Sequence, residues 1–286
     1  GWATEEVRRY KRAAVRAHPL RTKEWDYYCI LAEDFGLAVT VADNDYLGFL
    51  GVTWFDFRAG KFVSEDVVTP FPMGEMRLPE SADAGDVHIA NPKIDVRYTH
   101  VVGGRRVQVR APGFAKGAGL EADVLLAQPA MDRMVIATPF AGAPRSFYYN
   151  QKINCLRADG AVSLGGKRMI FRPDRALGVL DWGRGAWTYD NTWYWGSASG
   201  FVDGSVFGFN IGYGFGDTSA ATENVLFVDG RAHKLGGVTF HMPAGAPDSA
   251  PWSTRPGATG AAPCATGGTA LPTSCRRRRR TGPGCS

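Results

Sequence analysis

The chain is poor in the residues that mark stapled, metal-bound or membrane proteins. Of its five cysteines, only Cys29 and Cys155 precede residue 244, each inside a strand-like run. Without close spacing they outline neither a disulfide framework nor a zinc site, and the expectation is a reduced, cytoplasmic protein. Histidine is equally sparse. Positions 18, 88, 100, 233 and 241 show no i, i+2 or i, i+4 pairing, so the sequence argues for no metal. GSASG at 196–200 lacks a central serine nucleophile, and GYGFG at 212–216 lacks the glycine spacing and the following helix of a dinucleotide site. No cofactor is called for. No apolar run approaches the roughly 20 residues of a membrane-spanning helix. Helix signals are confined to residues 4–18, where early acids, late bases and Pro19 fit a single helix.

Charge is also scarcer than the totals suggest. The net +5 belongs to residues 244–286, where Arg255 and the five arginines at 276–280 oppose Asp248 alone. Residues 1–243 are therefore formally neutral, which gives no electrostatic argument for nucleic acid or an anionic membrane. Outside the set Ala, Gly, Pro, Ser, Thr, Cys and Arg, that terminal segment holds only Asp248, Trp252 and Leu271. Such a composition buries too little apolar surface to offset the entropy of ordering it. It reads as a disordered tail or as a frameshifted one, beginning at residue 244.

What remains is a long body with a period of two. Phe35, Leu37, Val39 and Val41 alternate with Gly36, Ala38, Thr40 and Ala42, and residues 94–102 alternate in the same way. Both patterns describe half-buried strands. Gly103 with Gly104, Asp159 with Gly160, Asp203 with Gly204 and Asp229 with Gly230 stand between such runs and suit tight hairpins. The Pro-rich stretches 69–79 and 111–119 read as loops. The fold class is all-β and antiparallel, a meander closed into a barrel or sandwich because open edges aggregate. A faint echo between Trp25→Phe55 and Trp193→Phe227, 30 and 34 residues apart, suggests a duplicated unit with its boundary near 120–145.

Residues 181–200 (DWGRGAWTYDNTWYWGSASG) concentrate four of the eight tryptophans, at 182, 187, 193 and 195. So much ring area forms either a core corner or the wall of an aromatic-lined cavity. Within it, Asp181 and Arg184 are three residues apart, a spacing that suits a turn ion pair. Asp181 would either fix that turn or, desolvated among rings, act as an acid with a raised pKa. In FYYNQKIN (147–154), Tyr148, Asn150, Lys152 and Asn154 share one face of a strand. Turned inward, that face is a row of donors with one cation; turned outward, it is ordinary solvated surface. The polar loop ending in Glu223 and Asn224 either carries function at a barrel mouth or satisfies its own backbone.

WDYYC (25–29), YYNQKIN (148–154), DWGRG..W...NTWYWGSASG (181–200) and GFN.GYGFGDTSAATEN (208–224) together resemble the bacterial domain-of-unknown-function family 2804. The resemblance spans about residues 1–243. It implies lipocalin-like (calycin) β-barrels in tandem, akin to carotenoid hydratases and Diels–Alderase-type cyclases. The units would be 1–125 and 145–243, the second incomplete, with 244–286 replacing its last strands. It carries over no catalytic residues. The expected function is binding, or cofactor-free acid–base conversion, of a small hydrophobic molecule, isoprenoid- or polyketide-like. Hydration, isomerisation and cyclisation are the candidate reactions. Asp181 or Glu223 would serve as acid or base, and Lys152 and Arg184 would hold a negative oxygen. Tyr148, Asn150, Asn154, Trp187, Trp193, Trp195 and Asn210 would line the ligand, with the rings facing a developing cation. A non-catalytic carrier is the rival, and it needs no buried, pKa-shifted carboxylate. A carbohydrate-active protein with a tryptophan platform is another, and it needs a carboxylate pair roughly 5–10 Å apart.

Overall fold

Alternating sequences become strands when one face, or each face in turn, has a core to meet. The computed structural model describes residues 8–241 and the backbone of 253–256. The remainder of the basic tail lies outside the described residues.

The strands are β1 (Thr22–Leu31), β2 (Phe35–Asp43), β3 (Leu47–Asp56), β4 (Lys61–Pro70), β5 (Val87–Ala90), β6 (Asp95–Val101), β7 (Gly104–Ala111) and β8 (Leu120–Ala127). After them come β9 (Met134–Phe140), β10 (Ala143–Leu164), β11 (Lys167–Phe171), β12 (Leu177–Ala186), β13 (Tyr194–Val202), β14 (Ser205–Tyr213), β15 (Val225–Val228) and β16 (Arg231–Lys234). A last antiparallel pair joins β17 (Val238–His241) to β18 (Ser253–Pro256). β1 to β12 make one antiparallel sheet, ordered β4-β3-β2-β1-β12-β10-β8-β7-β6-β5, with β9 and β11 also paired to β10. It curls into a half-barrel, so that Tyr28 of β1 reaches Tyr98 of β6 at a ring separation of 4.5 Å. β13 to β16 form a second, four-stranded meander. Among the described residues no helix is long and apolar enough to cross a membrane.

The 22-residue β10 is the spine. Its first half lies between β12 and β9, and its second half between β11 and β8. A bulge between Ile153 and Leu156, with buried Cys155 at φ 64°, separates the halves. One extra residue reverses which parity faces which side. Before the bulge, Tyr149 and Ile153 enter the core of the curled sheet; after it, Leu156, Ala158 and Val162 do. Tyr148 and Cys155 enter a second core, under β14 and β15, with Leu177, Trp187, Phe215 and Phe227. Strand β12 is consequently buried along its whole length.

Aspartate and glycine mark the turns at 203–204 and 229–230 as their local chemistry requires, whereas the hairpin expected at Gly103 and Gly104 turns one residue earlier, at Val102 and Gly103, with Gly104 already in β7. The pair Asp159 and Gly160 does not form a turn: β10 runs straight through it, and the hairpin to β11 turns at Gly165 and Gly166. Gly160 answers a different need, because a Cβ there would lie 2.2 Å from the Asp123 carbonyl oxygen of β8. The helix expected over 4–18 is also corrected. Within 8–18 there is a 3-10 turn at Arg12–Ala14 and a bridge from Arg9 to Ser81. Too few apolar residues at helical spacing are present to dock a helix. Instead Arg12 anchors the segment on Glu24 at 2.8 Å and on Asp45. The main sheet takes strands from both sides of 120–145, β1 pairing with β12.

Candidate active site

Three neighbouring strands converge on the second core. Their register sets Tyr27 beside Asp181 and Asp181 beside Lys152, and in the next row Trp25 beside Gly183 and Gly183 beside Asn150. Alternation thus delivers Trp25 and Tyr27 from β1, Asp181 from β12, and Tyr148, Asn150 and Lys152 from β10 to one surface. Gly183 provides a vacancy: a Cβ there would sit 2.0 Å from the Trp25 ring. The indole lies flat in that space and reaches the carboxylate of Asp181.

Asp181 Oδ1 accepts hydrogen bonds from Asn150 Nδ2 at 2.7 Å and from Trp25 Nε1 at 3.0 Å, and Oδ2 accepts from Lys152 Nζ. Lys152 is only 1% exposed. Its ammonium lies 4.6 Å from the Trp195 ring centroid and 5.9 Å from that of Phe215, within cation–π range. A buried ion pair of this kind holds only when its geometry and additional hydrogen bonds offset desolvation, and Asn150 and Trp25 supply those bonds.

Glu223 comes from the loop between β14 and β15 and is also 1% exposed. Its Oε2 accepts a hydrogen bond from Tyr148 Oη at 3.0 Å, while Oε1 has no partner. Burial raises its pKa to about 6, the charge of Asp181 adding to the rise and Lys152, Tyr148 and Asn210 opposing it. The same burial, reinforced by Glu223 and Asp181, pushes the Tyr148 phenol well above its ordinary value. Asn210 brackets the loop: its Nδ2 donates to the Glu223 carbonyl oxygen at 2.9 Å, and its Oδ1 accepts from Trp195 Nε1 at 2.7 Å. Asn150 Oδ1, like Glu223 Oε1, is buried without a partner. Two buried acceptors are thus left unsatisfied among the groups around the Lys152–Asp181 pair. Among the described residues no three His, Cys, Asp or Glu side chains converge as metal ligands.

Rings close round these groups. Tyr148 stacks on Phe215 at 4.8 Å and on Trp25 at 6.4 Å, and Trp193 stacks on Phe215 at 5.4 Å. Trp187 meets Trp25 edge-on at 5.7 Å, and Trp195 meets Tyr27 edge-on at 6.0 Å. The result is a packed nest, half-exposed only where Trp25, Tyr27, Trp193 and Trp195 reach the β13 side. Two clefts of about 940 and 550 Å³ lie elsewhere, over the charged outer face of β7 and β8 and beside Trp54.

Of the residues singled out from the sequence, Asp181, Glu223, Lys152, Tyr148, Asn150, Asn210, Trp187, Trp193 and Trp195 come together here. Arg184 does not. Asp181 and Arg184 lie on a strand, not a turn, and three residues along a strand is the opposite face. Arg184 pairs with Asp26 at 2.9 Å, donates to the Pro79 carbonyl oxygen at 2.9 Å and covers the Trp182 ring at 4.0 Å. Asn154 faces the second core but acts as a clamp, donating to Ser197 Oγ at 2.8 Å and the Phe209 carbonyl oxygen at 3.0 Å. Asp217 is exposed and accepts from the Ser219 amide at 3.0 Å, a backbone-satisfying role. Trp25, Tyr27, Phe215 and Gly183 also belong to this cluster, though no motif in the sequence marks them for it. The shared i, i+2 spacing of Trp25 and Tyr27 with Asn150 and Lys152 was a signal, but it acquires meaning only once β1 and β10 are known to flank β12.

Comparison with known proteins agrees with this architecture. The chain is similar to the solved structure of an AttH protein from Nitrosomonas europaea, with a TM-score of 0.51 and 16% identity over 79% of this chain and 72% of that one. It is similar also to kievitone hydratase from Nectria haematococca, with a TM-score of 0.51 and 9% identity over 87% of this chain and 77% of that one. No protein with a curated description matches. At such identities the likeness establishes the fold. The model of one sequence family covers residues 1–257, and the chain belongs to that family, described as a domain of unknown function (DUF2804).

Proposed function

We propose that the chain binds a small unsaturated hydrophobic molecule against the open β13 side of the aromatic nest, where Trp25, Tyr27, Trp193 and Trp195 are only partly buried, and converts it by acid–base chemistry, with Glu223 as the proton donor. One observation carries this reading. A fully buried carboxyl, with a pKa raised to about 6 and one bare oxygen, stands against a Lys152–Asp181 pair inside a ring of aromatics. A carrier needs no such group, whereas an acid catalyst works best with a pKa near the operating pH.

In water addition, the proton of Glu223 passes to one alkene carbon and a water oxygen bonds to the other. The proton which that water loses then returns to Glu223, and the enzyme is regenerated. Lys152 and Asn150 Oδ1 would hold the water or a substrate oxygen, Asp181 would keep Lys152 in place, and Trp193, Trp195 and Phe215 would face the electron-poor carbon. That a protein named a hydratase shares the fold supports water addition by analogy. Isomerisation uses the same proton donor without the water, a neighbouring carbon losing a proton back to the Glu223 carboxylate as the double bond re-forms.

The test is incubation of the protein with a panel of unsaturated isoprenoid, polyketide and phenolic compounds in ¹⁸O-labelled water, followed by mass spectrometry. Incorporation by the wild type and a loss of roughly 100-fold or more in Glu223→Gln are expected for a general acid. Tight binding without conversion by either protein would replace this reading with that of a carrier.

A further inference from the structure

Glu223 is held more tightly than a loop carboxyl requires. The ring of Tyr148 is clamped between Phe215, at 4.8 Å and 20°, and Trp25, at 6.4 Å and 25°. Its hydroxyl therefore points one way, at Glu223 Oε2. Beneath the carboxyl lies Gly212 of β14. A Cβ built on Gly212 would fall 1.5 Å from Glu223 Oε1 and 2.4 Å from its carboxyl carbon. The backbone of Gly212 is not in the left-handed region, so the glycine is there for space and not for its φ angle. Its amide donates to Asn224 Oδ1 at 2.8 Å, which ties the strand to the residue after Glu223. With Asn210 on the Glu223 carbonyl oxygen, backbone, floor and one carboxyl oxygen are all fixed.

We propose that Tyr148 and Gly212 are positioning residues that jointly seat Glu223, Tyr148 gripping Oε2 and Gly212 making room for Oε1, so that Oε1 bears the transferable proton. The chemistry follows from the direction of one hydrogen bond. An oxygen already accepting from a phenol is the poorer site for the acid proton, which then rides on the other oxygen. That other oxygen is the one left without a partner. The inference rests on the reading of Glu223 as the proton donor, but its test does not need a substrate.

The experiment follows the Glu223 carboxyl by ¹³C NMR of glutamate-labelled protein, assigned by subtraction of Glu223→Gln. It compares the wild type with Tyr148→Phe, Gly212→Ala and the double variant, each checked for folding by thermal melting. A hydrogen bond to the ionised form favours that form. Tyr148→Phe is therefore expected to move the titration midpoint upward from about 6, by up to about one pH unit. Gly212→Ala is expected to break the seat, so that adding Tyr148→Phe to it changes nothing further. An unmoved midpoint in Tyr148→Phe, or two effects that simply add, overturns the proposal. If Gly212→Ala does not fold, the midpoint in Tyr148→Phe decides alone. Should Glu223→Gln keep full turnover while the midpoints shift as expected, the seat stands and the proton-donor reading falls. Should Glu223→Gln be inactive while the midpoints stay put, the reverse holds.

Discussion

Replacing Glu223 with glutamine tests the buried acid through stability alone. The carboxyl titrates at about 6 when folded against an ordinary value of 4.5. A folded pKa above the unfolded one means that the native state binds the proton more tightly. The stability this confers is complete below about pH 4.5 and is lost as pH rises through about 6. The difference between those two values corresponds to about 2 kcal/mol at 1.36 kcal/mol per pH unit, or about 4–8 °C in Tm for a domain of this size. Glutamine keeps an acceptor for Tyr148 but cannot ionise, so its variant lacks this pH-dependent part. The assay is urea denaturation of both proteins from pH 4 to pH 8. The stability of the variant relative to the wild type should climb by about 2 kcal/mol between pH 4.5 and 7 and then level off. Glu24 and Asp66 also have raised pKa values, but they are present in both proteins and cancel in the difference. A difference that is flat with pH would refute the argument, since it would mean that the carboxyl is solvated.

Three further outcomes follow from the same geometry. Lys152→Met strands the Asp181 carboxylate among apolar rings and should cost about 3–5 kcal/mol in chemical denaturation, whereas Lys152→Met with Asp181→Leu should recover most of that loss. Gly183→Ala puts a methyl group 2.0 Å from the Trp25 ring. It should destabilise by about 1–3 kcal/mol and change the tryptophan fluorescence. Arg184→Met, which abandons buried Asp26 on the opposite face, should cost about 3–5 kcal/mol while leaving the Glu223 titration midpoint at about 6, as followed by NMR.

The legible parts of this fold are those decided within a few residues. Hairpin turns at 203–204 and 229–230 follow from backbone conformations that glycine tolerates and that aspartate adopts more readily than most, here at φ 49° and 47°. Strand periodicity placed Tyr148, Asn150 and Lys152 on one face without saying whether that face met water. The misreadings share a cause. Gly160 looked like a turn glycine because sequence cannot distinguish a left-handed turn from a close approach by another strand, here the Asp123 carbonyl. Arg184 looked like the partner of Asp181 because proximity in sequence was taken for proximity in space.

Strand β12 shows why such a segment resists reading from its letters. A strand with one buried face advertises it by alternation, but β12 lies between two cores and is buried on both. Its even positions send Trp182 and Arg184 into the curled sheet, where Arg184 meets Asp26. Its odd positions send Asp181, Gly183 and Gly185 toward the other core, where the acid meets Lys152, the vacancy at Gly183 admits Trp25, and a Cβ on Gly185 would lie 2.4 Å from the Phe147 carbonyl oxygen. The string DWGRG therefore encodes two interleaved sites with unrelated chemistry, and each becomes intelligible only when its letters are read alternately. The pairing of Asp181 with Lys152 and that of Arg184 with Asp26 are then independent. They lie on opposite faces of one strand, and a substitution on one face should leave the chemistry on the other in place.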